Sequence, residues 1–204
     1  MSDLSVVVLA TRNRGKLVEI VRLLGERIAR ARLVTIDELA PTARLDEDGE
    51  TFEANALAKA RQAAAATGVP AIADDSGLEV DALGGAPGVY SARYAGEPSD
   101  DARNNQRLLE ALRVVPTDQR GARFRCVAAY VDPARGVEIV RSGVCDGEIL
   151  RAPRGALGFG YDPLFLLPRL GKTMAELPVD EKNQLSHRAA AFRALAAVLP
   201  DDLR

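Results

Sequence analysis

Short apolar runs alternate along the chain with stripes of helical period. Residues 5–10, SVVVLA, form a β-rich run that ends in the polar turn TRNRGK. Leu17, Ile20, Val21, Leu24 and Ile28 then recur at helical spacing, which predicts an amphipathic helix with one buried face. A second short strand is predicted over 33–36, before the loop PTARLDEDGE, which is acidic toward its end. Residues 51–67 are rich in alanine and read as a helix closed by Gly68. The apolar run 69–73 predicts a strand that stops at two adjacent acids, Asp74 and Asp75. A separate short strand over 78–81 follows, bracketed by Gly and Pro turns.

Ser99 is the predicted N-cap of the next helix, with Asp100 and Asp101 in its first turn, where the helix dipole favours acids. Residues 123–132 and 137–150 are long β-like runs joined at PARG, the pattern of an antiparallel hairpin. A last helix is predicted over 181–199, with Leu185, Ala189, Phe192, Ala196 and Leu199 as its core stripe. No repeat or low-complexity linker interrupts the chain, so it reads as a single domain over 1–204. Strands interleaved with helices predict a mixed α/β fold on a central sheet.

Composition narrows the chemistry. The 204 residues are 47% hydrophobic and 27% charged, enough apolar material for a full core, and the net charge of −2 gives no global pull toward nucleic acid or a membrane surface. No apolar run approaches a membrane span, and no basic segment precedes the first apolar run as in an export signal, so a cytoplasmic location is expected. Cys126 and Cys145 lie in strand-like segments without metal-ligand spacing and read as buried reduced thiols. His187 is the single histidine, which argues against zinc sites and histidine-based triads; any metal would be a hard cation on carboxylates. Only four lysines stand against 23 arginines, and Lys16, Lys59 and Lys182 fall beside motifs. A retained lysine suits a place where a compact ammonium cannot be exchanged for a planar fork.

Taken singly, the motifs leave alternatives open. Thr11 to Lys16, between a strand and a helix, fits a phosphate-binding turn or a solvated basic one; it lacks the spacing of a Walker A loop. Asn55 and Lys59, four apart, share a helix face that suits a phosphate oxygen or simply solvent. Asp74 and Asp75 at a strand end could hold a divalent cation and activate water, or could cap the strand and start an Asx-turn. GFGYD offers close backbone approach and an aromatic ring for a base, or a buried turn. EKNQLSHR places Lys182, His187 and Arg188 off the core stripe of the last helix, where polar residues commonly face solvent.

The order of these segments is more telling. TRNRGK, GETFEANALAKA, PAIADDSGLEVDALGGAPGVYSARYAG, GFGYDPLF and EKNQLSHR together closely resemble the inosine triphosphate pyrophosphatase family, from the first strand to the last helix. The resemblance implies Mg²⁺-dependent hydrolysis of ITP, dITP and XTP to the monophosphate and pyrophosphate. It also implies an elongated α/β fold of two lobes with the nucleotide in the cleft between them, and a homodimer. By motif position, Asp75 would be the general base. Asp74, Asp75 and a loop acid, Asp46 or Glu47, would form the metal neighbourhood. Thr11, Arg12, Asn13, Arg14, Gly15, Lys16, Asn55, Lys59 and Ser76 would line the phosphates. Phe159, Gly160, Tyr161, Asp162, Lys182, His187 and Arg188 would face the base, reading the C6 keto group with side-chain or backbone donors.

One position departs from the family: its first motif often begins Thr-Gly-Asn, and here Arg12 replaces the glycine. Two other classes compete with the family reading. A pyrophosphatase for dTTP or modified pyrimidines would differ at the base pocket, and a non-catalytic nucleotide sensor would need no general base. An oxidoreductase is disfavoured because GGAPG lacks the GxGxxG spacing.

Overall fold

A computed structural model describes residues 4–25 and 27–204. Its elements are β1 (Ser5–Leu9), α1 (Arg14–Gly25), β2 (Ala31–Thr35), α2 (Ile36–Leu39), α3 (Phe52–Thr67), β3 (Ala71–Val80), α4 (Asp101–Ala111), β4 (Gly121–Asp132), β5 (Val137–Ile149), β6 (Phe165–Leu167), β7 (Lys172–Thr173), α5 (Val179–Leu185) and α6 (His187–Ala196). The strands form one mixed sheet in the order β2-β1-β3-β4-β5-β6-β7. β1 runs parallel to both β2 and β3, while β6 is antiparallel to β5 and β7. β4 and β5 are neighbours joined by a tight turn, which only an antiparallel hairpin permits. The expected α/β class is thus met.

The chain divides into two compact units. One comprises the chain through Asp75, Cys126–Gly143 and Arg188–Arg204; the other comprises Ser76–Arg125 and Val144–His187. Each has its own core. The first packs Val7, Leu9, Ile20, Leu24 and Ile72 with Tyr130, Phe192 and Leu195. The second packs Leu78, Val80, Leu108, Phe124, Phe165 and Met174. The chain changes unit inside β3, β4, β5 and α6 rather than at a linker, so no composition shift marks the division.

Several local expectations are corrected. The acids do not end a strand: β3 continues unbroken through Asp74 and Asp75 to Val80, absorbing the short strand expected over 78–81. Cations and an amide meet both carboxylates and remove the repulsion that would have stopped it, as described below. Asp100, not Ser99, caps α4, its carboxylate accepting from the Arg103 N–H at 2.8 Å. The Ser99 hydroxyl is turned away to the Ala92 carbonyl. The last helix is two helices, broken where Ser186 adopts an extended conformation (φ −70°, ψ 155°) typical of a cap. Leu185 is consequently exposed, and so is Val21 on α1. Cys126 is buried as expected, whereas Cys145 is only half-buried.

α3 behaves as read. Thr51 caps its start by accepting from the Ala54 N–H, and Gly68 closes it at φ 71°, a left-handed conformation that costs glycine nothing. No helix among the described residues is long and apolar enough to cross a membrane.

Candidate functional site

Two groupings of the sequence-predicted residues emerge, one in each unit. In the first, β3 presents Asp74 and Asp75, both buried. Successive side chains on a strand point to opposite faces, and the two acids have separate partners. Asp75 Oδ2 accepts from Asn55 Nδ2 at 3.0 Å, and Asp75 Oδ1 lies 3.4 Å from Lys59 Nζ. Asn55 and Lys59 reach it together because they stand one turn apart on α3, whose flanking alanines let the helix pack closely. Lys59 also pairs with Glu47 from the acidic loop. Of the two loop acids, Glu47 is therefore the one brought to this cluster. Asp46 is exposed, and its backbone N–H is held by Gln62.

Asp74 Oδ2 lies 3.3 Å from Lys16 Nζ and from both Nε and Nη2 of Arg188. The remaining Arg188 nitrogen, Nη1, donates to Glu19 Oε2 at 2.5 Å. Lys16 and Glu19 arrive on α1, whose start is set by Asn13: its Oδ1 accepts the Lys16 N–H at 3.0 Å. Thr11 supports the turn by accepting the Asn13 N–H at 3.2 Å. Arg14 and Gly15 continue the turn, exposed and half-buried respectively. Arg12 faces outward and ties the turn to the segment after β2, donating to Asp37 and to the carbonyls of Pro41 and Ala43.

These surroundings separate the two acids electrostatically. Burial raises the Asp75 carboxyl above its ordinary value, and Lys59 and Lys16 only partly offset it. Burial acts on Asp74 as well, but Lys16 and Arg188 outweigh it and hold that carboxyl well below the usual range. Lys59 stays an ammonium because Asp75, Glu47 and Asp74 outweigh its own desolvation. One carboxylate is thus a better base than usual beside one that stays ionised, a division of roles typical of acid–base sites.

In the second unit, Lys182 Nζ contacts Asp162 Oδ2 at 2.5 Å and sits 4.9 Å from the centre of the Phe159 ring. Asp162 Oδ2 also accepts the Phe159 N–H at 3.0 Å. Gly158 is needed there, since a Cβ at that position would lie 2.0 Å from Asp162 Oδ2. His187 is buried and stacks on Phe124, centroids 4.7 Å apart. Lys182, His187 and Arg188 are all buried, contrary to the solvent-facing alternative. Ser76, the residue after Asp75, is half-buried.

Two placements alter the expected division of labour. Arg188, grouped with the base readers by motif order, is bonded to Asp74 and Glu19 in the first unit. Tyr161 is a core residue whose hydroxyl donates to the Ser91 carbonyl. Backbone donors of the GFGYD turn are also engaged: the Phe159 N–H on Asp162, the Gly160 N–H on Asp101 and the Asp162 N–H on the Phe159 carbonyl.

Sequence reasoning passed over Glu19 and Gly49. Glu19 carried a signal, an acid three residues after Lys16 within an apolar stripe. Gly49 donates its N–H to Asn55 Oδ1 at 2.7 Å, and a Cβ there would lie 2.6 Å from that oxygen. Its glycine thus lets the acidic loop approach the amide that orients Asp75.

The fit of a metal rests on the donor set. No group of three or more His, Cys, Asp or Glu able to hold an ion occurs among the described residues. Glu47, Asp74 and Asp75 are hard oxygen donors already balanced by lysine and arginine. They therefore suit a hard divalent cation that takes most of its ligands from elsewhere than the protein.

A buried carboxylate of raised basicity, set among fixed cations on an α/β sheet, belongs to a hydrolase that turns water on an anionic substrate. The chain is a member of the Ham1 family, whose model matches residues 7–198. It is 50% identical over 193 residues to the dITP/XTP pyrophosphatase of Desulforamulus reducens, covering 95% of this chain and 94% of that one. It is 51% identical over 189 residues to the dITP/XTP pyrophosphatase of Geobacter sulfurreducens, covering 93% and 94%. The solved structure of a HAM1 protein from Coxiella burnetii matches with a TM-score of 0.86 at 44% identity, covering 96% of this chain and 98% of that one.

Proposed function

We propose that this protein hydrolyses the non-standard purine nucleoside triphosphates dITP, XTP and ITP to the monophosphate and pyrophosphate, keeping them out of nucleic acid. The observation that supports it most is the unequal Asp74–Asp75 pair among Lys16, Lys59 and Arg188. Its relatives of the same length carry the name dITP/XTP pyrophosphatase.

In this reading the turn from Thr11 to Lys16, with the Arg12 side chain turned away from it, forms the phosphate side together with Asn55, Lys59 and Ser76. Asp75, aimed by Asn55, takes a proton from water as its oxygen bonds to the α-phosphorus. The bond from that phosphorus to the bridging oxygen breaks, and the electron pair leaves with pyrophosphate. Lys16 and Lys59 stabilise the charge that builds on the phosphates, and positioning and fixed charge supply most of the rate. Asp74 stays ionised, its orientation fixed by the Arg188 fork. A Mg²⁺ bound with the triphosphate would draw one or two of its ligands from Asp74, Asp75 and Glu47 and would supply further charge neutralisation.

Base recognition is assigned to the Phe159–Asp162 turn with Lys182 and His187. A donor directed at the C6 keto oxygen meets another donor in ATP, and such a mismatch discriminates by several powers of ten. With its guanidinium on Asp74 and Glu19, Arg188 contributes here through the acids rather than through the base.

The test is pyrophosphate release from dITP, XTP, ITP, GTP, ATP and dTTP, with Mg²⁺ and with EDTA. Metal-dependent release confined to the first three is expected. Release chiefly from dTTP would transfer the protein to pyrimidine substrates, and release from none would make it a sensor. Asp75→Asn should abolish nearly all turnover while nucleotide binding stays measurable by calorimetry; substantial residual turnover would refute the general-base role.

A further inference from the structure

We propose that Asp101 and Asn105 on α4 are specificity-positioning residues, which hold the two backbone polar groups of Gly160 and so fix where the base-reading turn stands. The inference rests on the assignment of base recognition to that turn.

The Gly160 N–H donates to Asp101 Oδ2 at 2.7 Å, a charge-assisted bond, and the Gly160 carbonyl accepts from Asn105 Nδ2 at 2.8 Å. The clamp is itself anchored. Asn105 Nδ2 also donates to the Asp101 carbonyl at 2.7 Å, and the neighbouring buried Asn104 ties α4 to the Ala92 carbonyl and the Ala95 N–H. Leu108 seats the same helix in the core of the second unit.

The turn needs such a hold. Gly158 and Gly160 stand at φ 76° and 61° on either side of Phe159, and glycine permits many other conformations at both positions. Asp162 and Lys182 restrain the Phe159 side of the turn, through Asp162 Oδ2. Nothing in that contact fixes the backbone polar groups of Gly160; the two α4 side chains do. Released, the turn would lose its fixed position, and a misplacement of about an ångström can cost a positioned substrate on the order of 100-fold in efficiency. Asp101 and Asn105 belong to the second unit, whereas the acid cluster belongs to the first. Their effect should therefore fall on KM and on the choice of base, with little on kcat for dITP.

The experiment measures kcat and KM for dITP and ATP in Asp101→Ala, Asn105→Ala, Asp101→Asn, Asp100→Ala and Lys182→Met, with a thermal melt of each. The dITP-over-ATP ratio of kcat/KM should fall roughly 10- to 100-fold in Asp101→Ala and Asn105→Ala, chiefly through KM for dITP. Asp101→Asn keeps an acceptor oxygen and should restore most of the ratio. Asp100→Ala loses the helix cap without touching Gly160, so its melt should fall while its ratio holds. A ratio that follows the melting temperature across all α4 variants would reduce the clamp to ordinary stability and overturn the inference. If Lys182→Met shifts the ratio and the α4 variants do not, the clamp is wrong while the base-reading turn stands. If no variant shifts it, the base-recognition assignment fails and the clamp with it.

Discussion

Asp74 and Asp75 are neighbours in sequence and opposites in energy. Ionised Asp75 is disfavoured by its own burial, so above the ordinary carboxylate range the folded state holds it at a cost. That cost is absent at pH below about 4, where the unfolded chain also protonates. Asp74 has the reverse sign: its depressed value contributes stability at pH above about 4, lost as pH falls toward the folded value. In metal-free protein at pH 8, Asp75→Asn should therefore raise the melting temperature while Asp74→Asn lowers it; the Asp75 difference should shrink as pH falls toward about 4, whereas the Asp74 difference should persist to about pH 4 and shrink only below it. Shifts of the same sign would contradict the electrostatic division of the pair. Arg188 carries a larger consequence, because its removal leaves Asp74 and Glu19 buried without their guanidinium. Arg188→Met should cost about 3–5 kcal/mol in urea unfolding, the usual loss when one partner of a buried ion pair is deleted. A loss under about 1 kcal/mol would mean that other groups take over both acids.

At the scale of elements, β3 organises the acid cluster of the first unit and α4 holds the GFGYD turn of the second. The alternation of β3 sends Asp74 toward α1 and α6 and Asp75 toward α3, so one strand serves three helices. α4 depends on its cap: Asp100→Ala should destabilise by about 1 kcal/mol, whereas Ser99→Ala should cost less, since its hydroxyl satisfies no helical N–H. Equal losses in chemical denaturation would put the cap at the wrong residue. The break at Ser186 matters for the same reason that a cap does. It separates Lys182 on α5 from His187 and Arg188 on α6, and the change from the second unit to the first falls between those last two. Motif order grouped Arg188 with the base because it follows His187 directly in EKNQLSHR, and order along the chain does not show which unit a side chain joins.

For the whole molecule, we infer a homodimer from the family resemblance, and light scattering on the purified protein should return twice the mass of one chain; a monomer would remove that expectation. Much was determined by the sequence alone: the α/β alternation, the α3 boundaries with Thr51 and Gly68, the β4–β5 hairpin and the segments that mark the family. These follow from local causes, namely hydrophobic period, capping and turn chemistry, which act within a few residues. The tertiary structure decided the rest. That β3 runs on through two acids depends on Lys16, Lys59, Asn55 and Arg188 arriving from three helices, and no window around AIADDSG contains them. The choice of Glu47 over Asp46 and the unequal basicity of Asp74 and Asp75 have the same origin. Burial and charge at a point in space are sums over residues distant in the chain, so they exist only once the fold has brought those residues together.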